Sequence, residues 1–231
     1  MQSELRAVTD EVVACHRCPR LVEWRQRVAT EKRAAFANQE YWGRPLPSFG
    51  DMRARLLIVG LAPAAHGGNR TGRIFTGDRS GDWLFASLHR VGFANQPTSV
   101  ARDDGLRLTD AYIAAAVRCA PPQNKPTVAE RERCRPYLTR EMAALRRLEV
   151  VVALGSIAWA TVLTCARELG WDVPRPQPRF GHAASAELGP VTLIGSYHPS
   201  QQNTFTGKLT EPMLDAVFMR ARKILTAAKR T

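Results

Sequence analysis

Four short stretches of the chain are continuously apolar, and the stretches between them repeat apolar residues at helical spacing. The apolar stretches are residues 56–59, 111–117, 150–154 and 191–194. The helical patterns cover residues 81–91, 127–148, 156–169 and about 211–229. Strands that are apolar at every position are typical of parallel sheets covered on both faces. The alternation of strands and helices predicts an α/β protein, a three-layer α/β/α sandwich around a central, mostly parallel four-stranded sheet.

The pattern predicts a single domain over residues 1–231, with an N-terminal helical segment of about residues 1–50 before the first strand. A chain of this length can bury a substantial core, and it contains no internal repeat. No apolar stretch is long enough for a membrane span, and the polar N-terminal residues do not form an apolar signal region. We therefore expect a cytoplasmic protein that does not associate with membranes.

Two long loops follow the first and the last predicted strand, at residues 60–78 and 196–208. In open α/β sheets ligands bind at the carboxyl ends of the strands, and long loops in compact domains are usually functional. The first loop is rich in glycine, but it contains neither a G-x-x-x-x-G-K-[ST] phosphate loop nor a G-x-G-x-x-G fingerprint. We therefore expect a binding site at this edge of the sheet, and no nucleotide cofactor.

Three side chains in these loops are candidates for chemistry. Phe75 could stack on a planar base, or it could anchor its loop in the core. Asp78 could orient a water molecule, or it could cap the helix that begins near residue 80. His198, which Pro199 separates from the last strand, could donate a hydrogen bond to an oxygen that gains negative charge. In isolation, a His-Pro pair is more often structural than catalytic.

Four of the five cysteines form two unequal pairs, Cys15 with Cys18 and Cys119 with Cys134. Together they could complete a four-sulfur cage for zinc or an iron–sulfur cluster, and the spacing alone does not choose between these metals. Cys165 lies within a helical pattern and reads as a core residue. An odd number of cysteines fits a reducing compartment better than a disulfide framework.

The chain is strongly basic, with a formal net charge of +12 from 33 Lys and Arg against 21 Asp and Glu. Neutralising phosphates releases condensed counterions, so an excess of this size favours a polyanionic partner such as DNA. A generally cationic surface without such a partner is the alternative.

These features together resemble the uracil-DNA glycosylase superfamily. The resemblance rests on Gly60-Leu61-Ala62-Pro63 after the first strand, Phe75-Thr76-Gly77-Asp78, His198-Pro199-Ser200 after the last strand, and the four paired cysteines. The cysteines are similar to those of the iron–sulfur members, and residues 60–78 resemble the family 5, or type b, branch. This resemblance implies an enzyme of base excision repair, which flips uracil out of DNA and hydrolyses the N-glycosidic bond to leave an abasic site.

The resemblance also implies roles for individual residues. Catalysis is expected from Asp78, which would position the water or stabilise charge, and from His198, which would stabilise O2 of the leaving base. Substrate contacts are expected from Gly60, Leu61, Ala62, Pro63, Phe75, Asn124, Ser200 and Gln202, with Phe75 stacking on the flipped base and Gln202 filling the gap in the duplex. The candidates Gln201, Asn203 and Phe205 remain open for that last role.

The chain departs from most sibling families at two positions. Ala62 stands where they carry an acidic or amide residue that activates water, which transfers that role to Asp78. Ala115 stands where they carry a uracil-reading Asn, and Asn124 is the expected substitute. Because fewer amides fix the pyrimidine edge, we expect looser discrimination, including removal of deaminated purines such as hypoxanthine.

A [4Fe-4S] cluster on Cys15, Cys18, Cys119 and Cys134 is the implied cofactor, with a structural zinc as the alternative. It would tie the loop of Asn124 to the N-terminal segment and bring Arg17, Arg118 and Arg135 together for phosphate contact. We expect a monomer. Two other functions remain open: a non-catalytic, metal-stapled DNA-binding protein, and a superfamily member that crosslinks to abasic sites through a histidine such as His66.

Overall fold

A six-stranded sheet with helices on both faces is formed by residues 2–227, the part of the chain that the computed structural model describes. The strands are β1 (Phe49–Gly50), β2 (Leu56–Gly60), β3 (Ala111–Ala115), β4 (Val150–Leu154), β5 (Ser185–Leu188) and β6 (Val191–Ser196). The helices are α1 (Gln2–Val13), α2 (Pro19–Glu31), α3 (Gly68–Thr71), α4 (Arg79–Val91), α5 (Val128–Ala144), α6 (Ser156–Glu168), α7 (Gln201–Phe205) and α8 (Glu211–Ala227).

The strand order is β1-β3-β2-β4-β6-β5, in which the four central strands are parallel and both edge strands are antiparallel. The three-layer α/β/α fold class is confirmed, but the predicted number of four strands was wrong for the described residues. The four predicted strands are β2, β3, β4 and β6. The two missed strands lie at the edges: β1 has only two residues, and β5 exposes one face, so neither is continuously apolar.

Each central strand sends alternate side chains to two separate cores. Ile58 and Val152 face α4 and α8 on one side of the sheet, whereas Leu57 and Val151 face α5 and α6 on the other. Both faces exclude water, which explains why these strands are apolar at every position. Burying one such side chain stabilises the fold by about 1.5–3 kcal/mol.

The predicted helices form, with differences at their ends. α5 begins after Thr127, whose hydroxyl accepts from the backbone N–H of Glu130 while Glu130 accepts from that of Thr127, a reciprocal cap. It ends at Ala144 rather than residue 148, because the chain leaves helical geometry at Leu145. The last predicted helix is α8, and its expected residues 228–229 lie outside the described part of the chain.

Parallel pairing places the carboxyl ends of β2, β3, β4 and β6 at one edge of the sheet, where the two long loops begin. Each loop contains a short helix, α3 in the first and α7 in the second. Ser200 caps α7 by accepting from the backbone N–H of Asn203 at 3.4 Å, so part of the second loop is helical. No helix among residues 2–227 is long and apolar enough to cross a membrane.

Candidate active site

A cleft of about 550 Å³ opens at the carboxyl edge of the sheet, between the loops that follow β2, β3 and β6. Its volume lies within the range of about 300–1,000 Å³ that is typical of ligand pockets. Nine of the ten residues predicted to act on substrate line it: Leu61, Ala62, Pro63, Phe75, Asp78, Asn124, His198, Ser200 and Gln202. The loops at residues 60–78 and 196–208 therefore meet as the sequence predicts, and the loop after β3 joins them.

Gly60 is the predicted residue that does not line the cleft; it lies directly beneath Phe75. A Cβ atom at this position would lie 2.7 Å from Cζ of the phenyl ring, so only glycine allows the ring to pack this closely. Phe75 is 8% exposed and belongs to the core on the α4 side of the sheet. Both interpretations of Phe75 therefore hold: one side of the ring packs in the core, and the ring also lines the cleft.

His198 and Phe75 both line the cleft and lie next to each other, with their ring centroids 5.8 Å apart and their planes inclined by 31°. The amide of Asn203 donates to the His198 carbonyl oxygen at 2.9 Å, which fixes the backbone where the strand ends. Burial lowers the pKa of the imidazole to about 4. At neutral pH His198 is therefore an uncharged imidazole, which can donate one N–H to an oxygen while keeping its own charge neutral.

Asp78 is the only acidic residue among those described that line the cleft. Its Oδ1 accepts from the backbone N–H of Gly81 at 3.0 Å, which caps α4 as one of the two interpretations expected. Burial raises the pKa of this carboxyl, and hydrogen bonds from backbone N–H groups offset the rise only in part. Capping does not exclude chemistry, because it holds the carboxylate in one orientation at the cleft wall.

Gly67 makes room for this carboxylate. A Cβ atom at position 67 would lie 2.9 Å from both Cβ and Cγ of Asp78, and closer still to its Oδ2. The first loop thus approaches the Asp78 side chain as closely as a backbone can. From the sequence, Gly67 was only one of several loop glycines, whereas the structure gives it a specific steric role beside Asp78.

Buried polar contacts hold the first loop rigidly. Arg73 forms an ion pair with Asp104 at 2.7 Å and also donates to Thr76 and Ser99. Burial alone would raise the pKa of Asp104, but Arg73 and three backbone N–H groups hold it well below its usual range. Phe75 and Asp78 are therefore carried on a loop with a fixed conformation, which is what a preorganised site requires.

Asn124 reaches the cleft from the turn after β3. Asn124 and its neighbour Gln123 both adopt left-handed backbone angles, with φ of 57° and 55°. Such angles are unusual for residues other than glycine and mark a backbone that its surroundings hold in place. Ala115, by contrast, is buried at the end of β3 and does not line the cleft.

Sequence reasoning missed three polar residues of the cleft wall, Arg79, Ser80 and Gln123. Arg79 begins α4 directly after Asp78, and its guanidinium lies 4.4 Å from the ring centroid of Phe205. The sequence signal that could have identified Arg79 is its position directly after Asp78, the candidate catalytic acid. Phe205 is 67% exposed at this rim, whereas the Asn203 side chain is bound to the backbone. Asn203 is thereby the weakest of the candidates for filling a gap in the duplex.

His66 does not line the cleft. Its Nδ1 lies 3.0 Å from the hydroxyl of Tyr41, and burial lowers its pKa. The histidine that suggested a crosslinking enzyme is therefore engaged with the N-terminal segment of the chain rather than with the cleft.

A second site is formed where the four paired cysteines line one small cavity. Cys15 and Cys18 reach it from the turn between α1 and α2. Cys119 follows β3 and Cys134 lies in α5, so these two cysteines flank the Asn124 loop in the chain. The backbone N–H of Arg118 donates to Sγ of Cys134 at 3.3 Å. The fifth cysteine, Cys165, is buried in α6 as predicted.

The chemistry of this cavity fits a metal centre. Burial raises the pKa of Cys119 to about 12 and that of Cys134 to about 11, and neighbouring thiols add to both effects. Without a cation these groups are neutral thiols crowded together at neutral pH. A metal core would supply the positive charge that four thiolates need.

The expected cluster of phosphate-binding arginines was partly wrong. Arg118 is 2% exposed and is paired with Glu141 inside the protein, so it cannot contact DNA. Arg135 is paired with Glu168 at 2.7 Å. Arg17 remains exposed, stacked over the ring of Tyr137 at 5.1 Å.

Comparisons with known proteins show which family the sequence resembles over most of its length. The model of the uracil DNA glycosylase superfamily matches residues 47–222. The chain is 56% identical over 215 residues to a type-5 uracil-DNA glycosylase of Mycobacterium bovis, covering 92% of this chain and 79% of the relative. It is 54% identical over 216 residues to a protein of the same name from Mycobacterium leprae, covering 93% of each. It is 46% identical over 219 residues to another from Thermus thermophilus, covering 94% of this chain and 97% of the relative.

Proposed function

The chain belongs to the uracil DNA glycosylase superfamily, and from that premise we propose that it hydrolyses the N-glycosidic bond of uracil in DNA to leave an abasic site. The observation that carries the proposal is the meeting of Phe75, Asp78 and His198 in one cleft. His198 lies more than a hundred positions after the other two residues in the chain. Their side chains supply a stacking surface, an acid and a neutral hydrogen-bond donor.

The reaction is chiefly an electrostatic problem. The base departs as an anion while the sugar becomes cation-like, so the site must stabilise two opposite charges that develop close together. His198 meets the base, because a neutral imidazole donates to the O2 oxygen without the desolvation cost of a buried imidazolium. Asp78 meets the sugar, because a fixed carboxylate both attracts the cation-like anomeric centre and orients a water molecule.

Recognition of the base rests on Phe75 and on Asn124. The Phe75 ring is preorganised by Gly60 beneath it, so stacking costs little side-chain entropy. The Asn124 amide offers a donor and an acceptor to the base edge from the loop after β3. Ala62 leaves the first turn without a polar side chain, which is why the catalytic acid must come from Asp78.

The decisive experiment incubates a uracil-containing oligonucleotide with the enzyme and then cleaves abasic sites with alkali. Asp78→Asn and His198→Ala should each lower single-turnover excision by about 10²–10⁴-fold, the usual contribution of a positioned catalytic group. Asp103→Asn and His89→Gln remove an exposed acid and an exposed histidine away from the cleft, and they should retain wild-type rates. A protein that binds the oligonucleotide but never yields alkali-labile sites would instead be a DNA-binding module.

We extend the proposal to hypoxanthine. A cleft of about 550 Å³ leaves space for a purine, and the amides among the described residues of its wall are Gln123 and Asn124 from the loop after β3 and Gln201 and Gln202 from α7. With few fixed contacts, discrimination between bases is loose. Excision should be measured from duplexes containing uracil, hypoxanthine or thymine. Activity confined to uracil would refute this extension while leaving the glycosylase proposal intact.

The crosslinking alternative makes a different product. A covalent link to the abasic sugar would give a protein–DNA adduct that survives heat and SDS. The hydrogen bond between His66 and Tyr41 disfavours that chemistry, because it holds the imidazole away from the cleft. Denaturing electrophoresis of the same reaction distinguishes the two outcomes.

We propose that Cys15, Cys18, Cys119 and Cys134 hold a [4Fe-4S] cluster, with structural zinc as the alternative. The cluster would tie the two cysteines before α2 to the segment that carries Asn124, and it takes no part in breaking the bond. Iron would give a brown protein with absorbance at about 400 nm and matching iron and sulfide contents. A colourless protein with one zinc per chain would favour the alternative.

The net charge of +12 supports DNA as the partner, because exposed cations gain counterion release on phosphates. We further propose that the protein acts in the cytoplasm as a monomer, without a nucleotide cofactor. Molar mass from light scattering, with and without DNA, tests the oligomeric state.

A further inference from the structure

Arg25 is a buried cation without an anionic partner. It lies on the inner face of α2 with Leu21 and Val28, and it is 1% exposed. Its Nε and Nη1 atoms have no hydrogen-bond partner, and Nη2 reaches only the carbonyl oxygen of Cys15, at 3.5 Å. Within the described residues no carboxylate forms an ion pair with it.

The other buried arginines are compensated. Arg55 is paired with an aspartate, Arg73 with another, and Arg118 with a glutamate. An uncompensated charge in the interior is strongly destabilising, because it loses its hydration and gains no partner in return. Arg25 therefore requires a compensating group that the protein side chains near it do not supply.

The neighbours of Arg25 do not meet this need. Asn69 donates its amide to the Arg25 carbonyl oxygen at 3.1 Å, so it binds the backbone rather than the guanidinium. Arg44 lies close enough to repel it. Burial, with this repulsion, lowers the pKa of the guanidinium, and only Cys119 and Cys15 act in the opposite direction. Among the groups that act electrostatically on Arg25, only the thiols of the cysteine cavity can become negatively charged.

A metal centre would turn that cavity into an anion. Four thiolates around either a [4Fe-4S] core or a zinc ion leave a net charge of about −2. The guanidinium of Arg25 lies within electrostatic range of Cys15 and Cys119 in the interior, where little water screens the attraction. Its free N–H groups are also the type of donor that tunes cluster sulfurs.

We propose that Arg25 is the buried positive charge that compensates the metal–thiolate centre. Arg25 slows the loss of the metal from the protein and, where the centre is an iron–sulfur cluster, makes the cluster easier to reduce. The inference rests on the cofactor proposed above. It assigns Arg25 no contact with DNA: it is a positioning residue that acts through the metal. A positive charge stabilises the reduced cluster, which carries one more negative charge, so removing it lowers the reduction potential.

The first test compares three variants of the purified holoenzyme. Arg25→Met removes the charge at similar length, and Arg25→Lys keeps it. Arg27→Met, the matched control, removes an exposed charge from the same helix, where Arg27 stacks on Trp24. Arg25→Met should lower the equilibrium constant for reduction of the cluster at least tenfold, which is a fall of about 59 mV in the reduction potential of a one-electron couple. It should also lose its metal to a chelator at least tenfold faster, while the other two variants stay within threefold of wild type.

The second test asks whether the role is electrostatic or merely packing. Thermal unfolding of wild type and Arg25→Met is measured with and without the metal. Arg25→Met should lower the melting temperature of the metal-bound protein but raise that of the metal-free protein, because the metal-free protein is relieved of an unpaired buried charge. Equal destabilisation in both states would reduce Arg25 to a packing residue and overturn the proposal.

The remaining outcomes are also decisive. Wild-type potential and metal retention in Arg25→Met would overturn the proposal. Where Arg25→Met fails to assemble the centre, normal assembly of Arg25→Lys supports the countercharge and the same failure refutes it. If wild type contains zinc, the iron–sulfur cofactor is refuted, and the rate of zinc loss tests Arg25 instead. Uracil excision is measured separately, so failure of the glycosylase proposal would be seen independently.

Discussion

Gly67→Ala should disable the active site without altering any residue proposed to contact DNA. The added Cβ would lie 2.9 Å from Cβ and Cγ of Asp78 and closer to its Oδ2, whereas ordinary contacts of this kind are 3.4–4 Å. The carboxylate must therefore move by about 1 Å, and a misplacement of that size can cost about 10²-fold in rate. This corresponds to about 2.7 kcal/mol in activation free energy.

The assay is single-turnover excision of uracil with enzyme in excess, which isolates the chemical step from product release. The matched control is Gly181→Ala, because a Cβ there meets only Ala184, at 3.5 Å. Both variants should bind uracil-containing DNA as wild type does, and only Gly67→Ala should be slow. If Gly67→Ala excises uracil at the wild-type rate while folding normally, the position of the Asp78 carboxylate does not control catalysis, and its role here is wrong.

Asp82→Asn should move the acidic limb of the pH–rate profile to lower pH. Burial, and to a lesser extent the like charge of Asp82, raises the pKa of Asp78, so the active carboxylate is protonated and lost as pH falls through that raised pKa. When Asp82 is replaced by a neutral residue, the pKa of Asp78 falls and the carboxylate survives to lower pH. An acidic limb that does not move would assign that limb to the titration of another group. Comparing Gln202→Ala with Phe205→Ala should identify the residue that fills the duplex gap, as the one whose loss slows duplex cleavage about tenfold more than single-strand cleavage. Equal losses on both substrates would reject both candidates. Asn124→Ala should lower kcat/KM for uracil about tenfold, the cost of about one hydrogen bond to the base, and an unchanged value would place base reading elsewhere.

The arrangement of the cleft was predictable because it follows from strand direction. Once β2 and β6 are recognised as buried parallel strands, the loops after them must share one edge of the sheet, and Phe75 and His198 must approach each other. The two roles that the sequence offered for Asp78, helix cap and cleft residue, are both seen in the structure. Asp78 caps α4, and the same side chain lines the cleft.

Ion pairs between distant elements were not predictable. Arg118 reads as a surface cation beside a cysteine, and its burial depends on Glu141, a residue of α5 that follows 23 positions later. Arg25 reads as one of several arginines on an exposed helix, and nothing in its local sequence marks it as buried. The position of a charge relative to water is decided by packing between elements, whereas the position of a loop at a strand end is decided by the strand itself.

The described residues of the N-terminal segment, from residue 2 onwards, contribute no side chain to the cleft, yet they support the wall that is proposed to read the base. Gln123 and Asn124 hold left-handed angles that cost about 1 kcal/mol each, so an unsupported turn would relax. Arg20, at the start of α2, donates to the carbonyl oxygen of Lys125 at 3.2 Å and pairs with Glu130 at 2.6 Å. The turn is thus held from α2 by direct bonds, and Cys119 begins the same segment at the cysteine cavity. The proposed base reading and the proposed metal binding therefore both require α2 to stay against the segment that leaves β3.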